Sequence, residues 1–216
     1  MKNIKNKINE ILNNYEIERK KKTFIPFEKI PPILRDGLIS AEDRRFYIHP
    51  GIDVIGIVRA FRTNLKQGKI VEGASTITQQ LVRQLVLTKE KTYRRKLHEV
   101  VIALLLERHL SKEQILEFYL NTCFYGVHGL TAASHEVFQK EPQELTISEQ
   151  AFLAALIARP LVSASTQASF MRTFQRQQWI LRTLAKRGRI SQEDCTTATR
   201  EAIRPYGRLA GGELAA

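Results

Sequence analysis

Carboxylates and cations alternate along the first half of the chain, and together they could transfer a group off a phosphate. Glu42 opens the segment 42–51, which reads EDRRFYIHPG, and Glu99 closes the segment 95–99, which reads RKLHE. A carboxylate can take the proton of a hydroxyl group as that hydroxyl attacks carbon. Arginine and lysine can stabilise the charge that grows on a phosphate leaving group. The pattern therefore indicates proton transfer beside an anionic leaving group.

Several residues of the segment 42–51 also have purely structural interpretations. Ser40 followed by Asp43 has the spacing of a capping box, which predicts that a helix begins here with Glu42 in its first turn. Asp43 is then either a cap partner of Ser40 or a site residue. His49, which precedes a Pro-Gly pair, either hydrogen-bonds the loop backbone or acts in catalysis.

The segment 73–80, GASTITQQ, reads as a loop that enters a helix with Thr76 and Gln79 as its capping box. The amides at a helix start can bind an anion, although Ser and Thr in such places usually only cap the helix. A basic cluster lies directly after this loop, and it is either a group of cations aimed at one phosphate or a solvated helix face. The cations are Arg83, Lys89, Lys91, Arg94, Arg95 and Lys96.

Glu99 lies four residues after Arg95, so the two side chains share a helix face and are predicted to pair. Glu99 is then either half of a surface ion pair or a second carboxylate of the site, held ionised by Arg95. Tyr119 and Asn121 end the segment 112–121, KEQILEFYLN, where packing and capping are the more common roles.

The charge balance favours anionic partners without naming one. Among 216 residues, 34 basic and 22 acidic side chains leave a net charge of +12. The hypothesis that the protein binds nucleic acid would rest on charge alone, because the sequence has neither a helix-turn-helix nor an aromatic stacking pattern. No apolar run reaches the roughly 20 residues that span a bilayer, and no signal-peptide core is visible. Cys123 and Cys195 lack metal-ligand spacing, which favours idle buried thiols.

Helical periodicity predominates after residue 32, with examples such as Val54, Ile57, Val58 and Phe61. Residues 1–22 form a basic amphipathic leader, either on a membrane surface or, as we favour, as a solvated helix. The prolines of 26–32 predict a non-helical link. One helical domain is expected over 23–205 and a flexible tail over 206–216.

In order and spacing these motifs resemble glycosyltransferase family 51, the peptidoglycan glycosyltransferases. The resemblance runs from about Ile30 to Ile190, includes the uninterrupted STITQQ of 75–80, and ends in a weaker match at 176–181. It implies a mainly α, lysozyme-like, two-lobed helical domain whose smaller lobe faces the membrane, with 23–205 as the glycosyltransferase domain.

The resemblance also implies an activity: polymerisation of lipid II into β-1,4 glycan strands, with inversion and release of undecaprenyl pyrophosphate. Glu42 matches the general base. Glu99 matches a second carboxylate that positions substrate or a divalent cation, Mg or Mn. The remaining residues match substrate-binding positions: Asp43, Phe46, His49, Ser75, Thr76, Gln79, Gln80, Arg83, Lys91, Arg95, Lys96, Asn121 and Arg176.

The partners implied are lipid II, the growing glycan strand, the membrane surface and other cell-wall synthesis proteins, with no nucleic acid. The family's place is the outer face of the bacterial cytoplasmic membrane. Departures after Asn121 and the lack of a visible anchor leave an alternative, a catalytically weak protein that binds lipid II or anionic membrane. A two-carboxylate hydrolase is also conceivable, but the cations between Glu42 and Glu99 argue for transfer from pyrophosphate.

Overall fold

Ten α-helices form most of the part of the chain that the computed structural model describes, residues 2–71, 73–86, 92–158 and 167–203. Over these ranges no strand forms, and the single β-type contact is a bridge between Phe124 and His128. The prediction of a mainly α fold is confirmed. The helices are α1 (Lys2–Arg19), α2 (Pro32–Glu42), α3 (Val54–Gln67), α4 (Ile77–Val86), α5 (Tyr93–Leu106), α6 (Lys112–Thr122), α7 (Leu130–Phe138), α8 (Ile147–Ala158), α9 (Gln167–Lys186) and α10 (Gln192–Arg200).

Most of the predicted capping boxes start helices. At α4 the Gln79 amide N–H donates to Thr76 Oγ1 and the Thr76 amide N–H donates to Gln79 Oε1, each at 3.1 Å. The same reciprocal bonds precede α6, α8 and α10. Each box satisfies amides that have no partner within the helix, which is why these helices begin where they do.

The predicted helix start at Ser40 is wrong. Helix α2 begins at Pro32, runs through Ser40 and ends at Glu42. Proline is well tolerated at a first helical position because the amide there needs no intrahelical partner. Glu42 therefore sits at the carboxyl end of a helix, where the helix dipole opposes a negative charge instead of favouring it.

The chain divides into two compact units. Of the described residues, the first unit contains those within 2–21 and 42–119, and the second contains those within 22–41 and 120–203. The chain therefore passes from one unit to the other three times, after residue 21, inside α2 and inside α6.

In the first unit, α1 packs against α4 and α5, and its Ile8, Ile11 and Tyr15 side chains are buried. The Tyr15 hydroxyl donates to Glu117 Oε1 at 2.7 Å, and burial together with this hydrogen bond raises the pKa of the phenol. The sequence favoured a solvated helix for residues 1–22, and that prediction is wrong for the face of α1 that carries these three buried side chains. The domain boundary at residue 22 stays a prediction, and the tail 206–216 lies outside the described residues.

In the second unit, α8 is buried on every side from Ser148 to Leu156 and packs against α9 and α10. A Cβ on Gly37 would lie 3.1 Å from Ile180 Cγ2 and 3.2 Å from Ala154 Cβ. Glycine thus lets α2 approach α8 and α9 closely.

Both cysteines also belong to the second unit, where they are free and buried. Burial raises the pKa of the Cys123 thiol to about 12. That thiol is therefore protonated at neutral pH, and a protonated thiol is a poor nucleophile.

Helix α3 forms as its periodicity predicts, but its apolar side chains face outward. Val54 is 59 % exposed, Phe61 67 % and Leu65 71 %. An amphipathic pattern normally marks a face buried in the protein, whereas here the apolar face is open. Among the described helices, none is both long and apolar enough to cross a bilayer.

Candidate active site

Glu42 lies at the junction of α2 with the loop 43–53, in the first unit and half-buried. Its Oε2 accepts a hydrogen bond from Gln80 Nε2 at 3.2 Å. Gln80 lies in the first turn of α4, and its Oε1 accepts a hydrogen bond from the Tyr119 hydroxyl at 2.7 Å. The candidate base is thus held by an amide that a tyrosine from α6 holds in turn.

Asp43 and His49 form a buried pair that supports the loop after Glu42. Both carboxylate oxygens of Asp43 lie 3.0 Å from His49 Nε2, and one also accepts the Ile77 amide N–H at 3.0 Å. The Gly51 amide N–H donates to His49 Nδ1 at 3.1 Å, which leaves Nε2 to carry the proton toward Asp43. Asp43 therefore caps α4 rather than pairing with Ser40, and His49 structures the loop.

Two more predicted site residues are packed into the same part of the interior. The Thr76 hydroxyl donates to the Gly51 carbonyl at 2.6 Å. Phe46 is 0 % exposed, and Lys112 Nζ lies 4.5 Å from the centre of its ring. These contacts join the loop 43–51 to the start of α4. Glu42, just before the loop, and Gln80, in the first turn of α4, are therefore attached to the same rigid part of the unit.

Glu99 on α5 is the centre of a second polar cluster in the first unit. Its side chain is fully buried and pairs with Lys96. Lys96 Nζ also donates to Ser75 Oγ at 3.1 Å, and Arg83 Nη1 lies 3.9 Å from Glu99 Oε2. A buried carboxylate needs such cations, because an isolated buried charge is very unfavourable.

The predicted Arg95–Glu99 pair is wrong. Glu99 pairs instead with Lys96, three residues before it on α5, and with Arg83 of α4. The Nε atom of Arg95 is buried and lacks a hydrogen-bond partner within the described ranges. Arg95 and Lys96 are consecutive on α5, so their side chains point in different directions. Which of the two meets Glu99 is therefore decided by how α5 packs.

The remaining predicted residues have contacts of other kinds. Gln79 caps its own helix. The Asn121 side chain exchanges hydrogen bonds with the Ile25 backbone at 2.8 and 2.9 Å, and Arg176 Nη2 lies 3.5 Å from the Ala41 carbonyl oxygen. Both of these contacts are within the second unit, and Lys91 lies outside the described residues. Direct contact of any of these side chains with substrate stays a prediction.

A divalent cation would find one suitable protein ligand at the Glu99 cluster. No group of three or more His, Cys, Asp or Glu side chains that could hold a metal occurs in the described part of the chain. Glu99 Oε2, however, is buried without a hydrogen-bond partner among those residues. Magnesium commonly binds through one or two carboxylates and takes its other ligands from substrate phosphates and water. The residues present fit that kind of site.

Tyr119 is the residue of this site that sequence reasoning assigned to packing. It is 3 % exposed, as packing requires, yet its hydroxyl reaches Gln80. The available signal was its place in the polar segment 112–121, but a single sequence does not indicate which helix a tyrosine hydroxyl faces.

Comparison with known proteins places the chain in a family. The model of the transglycosylase family matches residues 5–185. Over 189 residues the chain is 39 % identical to penicillin-binding protein 1A of Rickettsia prowazekii. The aligned region covers 85 % of this chain and 24 % of that protein. Over 183 residues it is 40 % identical to a protein of Cupriavidus necator named "Putative transglycosylase". Here the aligned region covers 84 % of this chain and 78 % of the Cupriavidus protein.

A crystal structure of penicillin-binding protein 1A from Haemophilus influenzae aligns with 45 % of this chain and 15 % of its own, with a TM-score of 0.41 and 33 % identity. The chain spans about a quarter of the length of the first curated relatives that it matches, 24 % in each case. It belongs to the transglycosylase family, the peptidoglycan glycosyltransferases.

Proposed function

We propose that this protein polymerises lipid II into β-1,4-linked glycan strands at the outer face of the bacterial cytoplasmic membrane. The observation that carries the proposal is the hydrogen-bonded Glu42 in the same folded unit as the buried Glu99 and its cations. Family membership supports the reaction type. Lipid II and the growing strand are the substrates, and contacts with other cell-wall synthesis proteins stay a prediction.

Glu42 acts as the general base. It takes the proton of the acceptor sugar's 4-hydroxyl as that oxygen forms a bond with C1 of the donor sugar. The C1–O bond to the pyrophosphate breaks with its electron pair leaving on oxygen, so undecaprenyl pyrophosphate departs and the configuration at C1 inverts. A sugar hydroxyl is a weak nucleophile, and a positioned base supplies about 10² to 10⁴ in rate.

Arg83 and Lys96 stabilise the pyrophosphate as it gains charge. Their side chains are 40 % and 44 % exposed, so each can meet a ligand as well as Glu99. Glu99 keeps these cations oriented, and preoriented charges stabilise a transition state better than charges that must rearrange. A bound Mg or Mn ion would supply further neutralisation of the leaving group, with Glu99 as its protein ligand.

Incubation with fluorescent lipid II in detergent tests the proposal. We expect glycan polymer to accumulate and undecaprenyl pyrophosphate to be released in step with it, with a rate that falls when EDTA removes divalent cations. Lipid II binding without polymer, under conditions in which an established transglycosylase is active, would overturn the proposal in favour of the binding protein, the alternative that the comparisons do not favour.

Helix α3 supports attachment to a membrane surface. Its exposed apolar face includes Val54, Phe61 and Leu65, and Ile70 beyond the helix is 90 % exposed. Four basic residues lie in the same segment of the chain: Arg59, Arg62, Lys66 and Lys69. An apolar face flanked by cations suits the interface of an anionic bilayer, where apolar side chains enter the headgroup region and cations meet phosphates.

Vesicle sedimentation measures this attachment. With vesicles that contain about one third anionic lipid, Leu65→Glu should weaken binding by at least about tenfold, since burial of a leucine side chain is worth about 1.5–3 kcal/mol and each 1.4 kcal/mol is a factor of ten. Trp179→Glu is the matched control, because Trp179 is an exposed apolar residue, 39 % accessible, on α9 of the second unit. Equal weakening by both variants, or by neither, would contradict a specific role of α3.

A further inference from the structure

Tyr119 lies at the end of a short chain of hydrogen bonds that leads to Glu42. Its hydroxyl donates to Gln80 Oε1 at 2.7 Å, and Gln80 Nε2 donates to Glu42 Oε2 at 3.2 Å. Tyr119 is 3 % exposed on α6, whereas Gln80 and Glu42 are partly accessible. All three residues belong to the first unit.

The direction of these bonds is set by the chemistry of the amide. Gln80 has an acceptor end and a donor end, and an ionised carboxylate can only accept. If the amide turned over, its oxygen would face the Glu42 carboxylate and two acceptors would meet. The Glu42 carboxylate therefore selects the orientation of the amide in which Gln80 Oε1 faces the Tyr119 hydroxyl, and the hydroxyl then donates to that oxygen.

The backbone that carries Gln80 is fixed independently. Thr76 and Gln79 cap α4, the Asp43 carboxylate accepts the Ile77 amide, and Ile77 and Leu81 are fully buried. The side chain of Gln80 is consequently the flexible part between α4 and Glu42. Tyr119, anchored by the burial of its ring, restrains that part.

We propose that Tyr119 is a positioning residue for the base Glu42 and acts through Gln80. The inference rests on the proposed function, in which Glu42 is the base. Glu42 ends a helix, and the Gln80 amide limits the rotamers of its carboxylate. A base must lie within hydrogen-bonding reach of the proton that it takes, so loss of the Tyr119 hydroxyl lowers the fraction of productive Glu42 conformers without altering substrate affinity.

The test is the steady-state rate of lipid II polymerisation by Tyr119→Phe, Gln80→Met and the double variant. Tyr119→Phe keeps the buried ring and should lower kcat by roughly 10-fold, within the range by which misplacement of a reacting group acts, with KM changed less than about twofold. In the Gln80→Met background the same change should lower kcat by less than about twofold, because the group through which Tyr119 acts is gone.

Tyr15→Phe is the matched control. Tyr15 is another buried tyrosine of the first unit, 2 % exposed, whose hydroxyl donates to Glu117. It should keep the wild-type kcat even if the melting temperature falls. A Tyr119→Phe variant with wild-type kcat, equal losses in the two tyrosine variants, or an undiminished loss in the Gln80→Met background would overturn the proposal.

Glu42→Gln is assayed in parallel to separate the two proposals. If it retains the wild-type rate, Glu42 is not the base and the proposed function fails. If it is inactive while Tyr119→Phe is fully active, only the positioning role of Tyr119 fails.

Discussion

Glu42→Gln should lower kcat for glycan polymerisation by roughly 10²- to 10⁴-fold, the range of a lost general base. The glutamine amide has nearly the shape of the carboxylate but cannot accept the proton of the acceptor hydroxyl. Its oxygen can still accept the hydrogen bond that Glu42 Oε2 receives from Gln80 Nε2. The loss should therefore fall on kcat, with circular dichroism and the melting temperature close to wild type.

Glu113→Gln is the control for this substitution. Glu113 is an exposed carboxylate in the first turn of α6, in the same unit. Its replacement removes one negative charge from that unit at a place outside the proposed chemistry, so the polymerisation rate should stay within about twofold. A Glu42→Gln enzyme that keeps more than a tenth of the wild-type kcat would show that another group accepts the proton.

Gly51→Ala should destabilise the fold by roughly 2–6 kcal/mol, the sum of backbone strain and overpacking at one position. Gly51 has a φ of 97°, and a Cβ built on it would lie 2.8 Å from the Ala103 carbonyl oxygen. That oxygen belongs to α5 and cannot swing away as a flexible side chain could. The urea midpoint of unfolding measures the loss.

Gly68→Ala is the matched substitution, because it separates backbone conformation from crowding. Gly68 also has a positive φ, 63°, but a Cβ there would meet nothing within 4 Å. Only the left-handed conformation is penalised, by about 1–2 kcal/mol. Equal destabilisation by the two substitutions would mean that the contact with Ala103 is relieved by movement of the loop.

The Gly51 substitution should also lower activity in the population that remains folded. The Gly51 amide donates to His49 and its carbonyl accepts from Thr76. A displaced Gly51 therefore disturbs the Asp43–His49 pair and the start of α4, from which Gln80 holds Glu42. Activity per folded molecule should fall for Gly51→Ala and not for Gly68→Ala.

Much of the fold could be predicted from the sequence, because helix starts are local. Thr76 with Gln79 and Ser191 with Asp194 form the capping boxes that their spacing predicts. At Ser40 the same rule fails, because a serine three residues before an acid can also lie inside a helix that is already formed. Pro32, at the first position of α2, was the better signal.

The helices α1 and α3 show what periodicity leaves open. Both carry apolar residues at helical spacing, yet Ile11 of α1 is fully buried and Phe61 of α3 is 67 % exposed. Amphipathicity states that a face is apolar and does not state what covers it. The face is buried only where another helix packs against it, and that packing is decided by residues distant in the sequence.

The sequence by itself determined the helical class, most helix starts and the residues that carry the family's motifs, since these depend on residue types a few positions apart. Only the tertiary structure decided the pairings: Lys96 rather than Arg95 with Glu99, Asp43 with His49 and the amide of Ile77, and Tyr119 through Gln80 with Glu42. The physical reason is the short range of hydrogen bonds and ion pairs, which need side chains within about 3–4 Å. For residues on different helices, that closeness is set by how the helices pack.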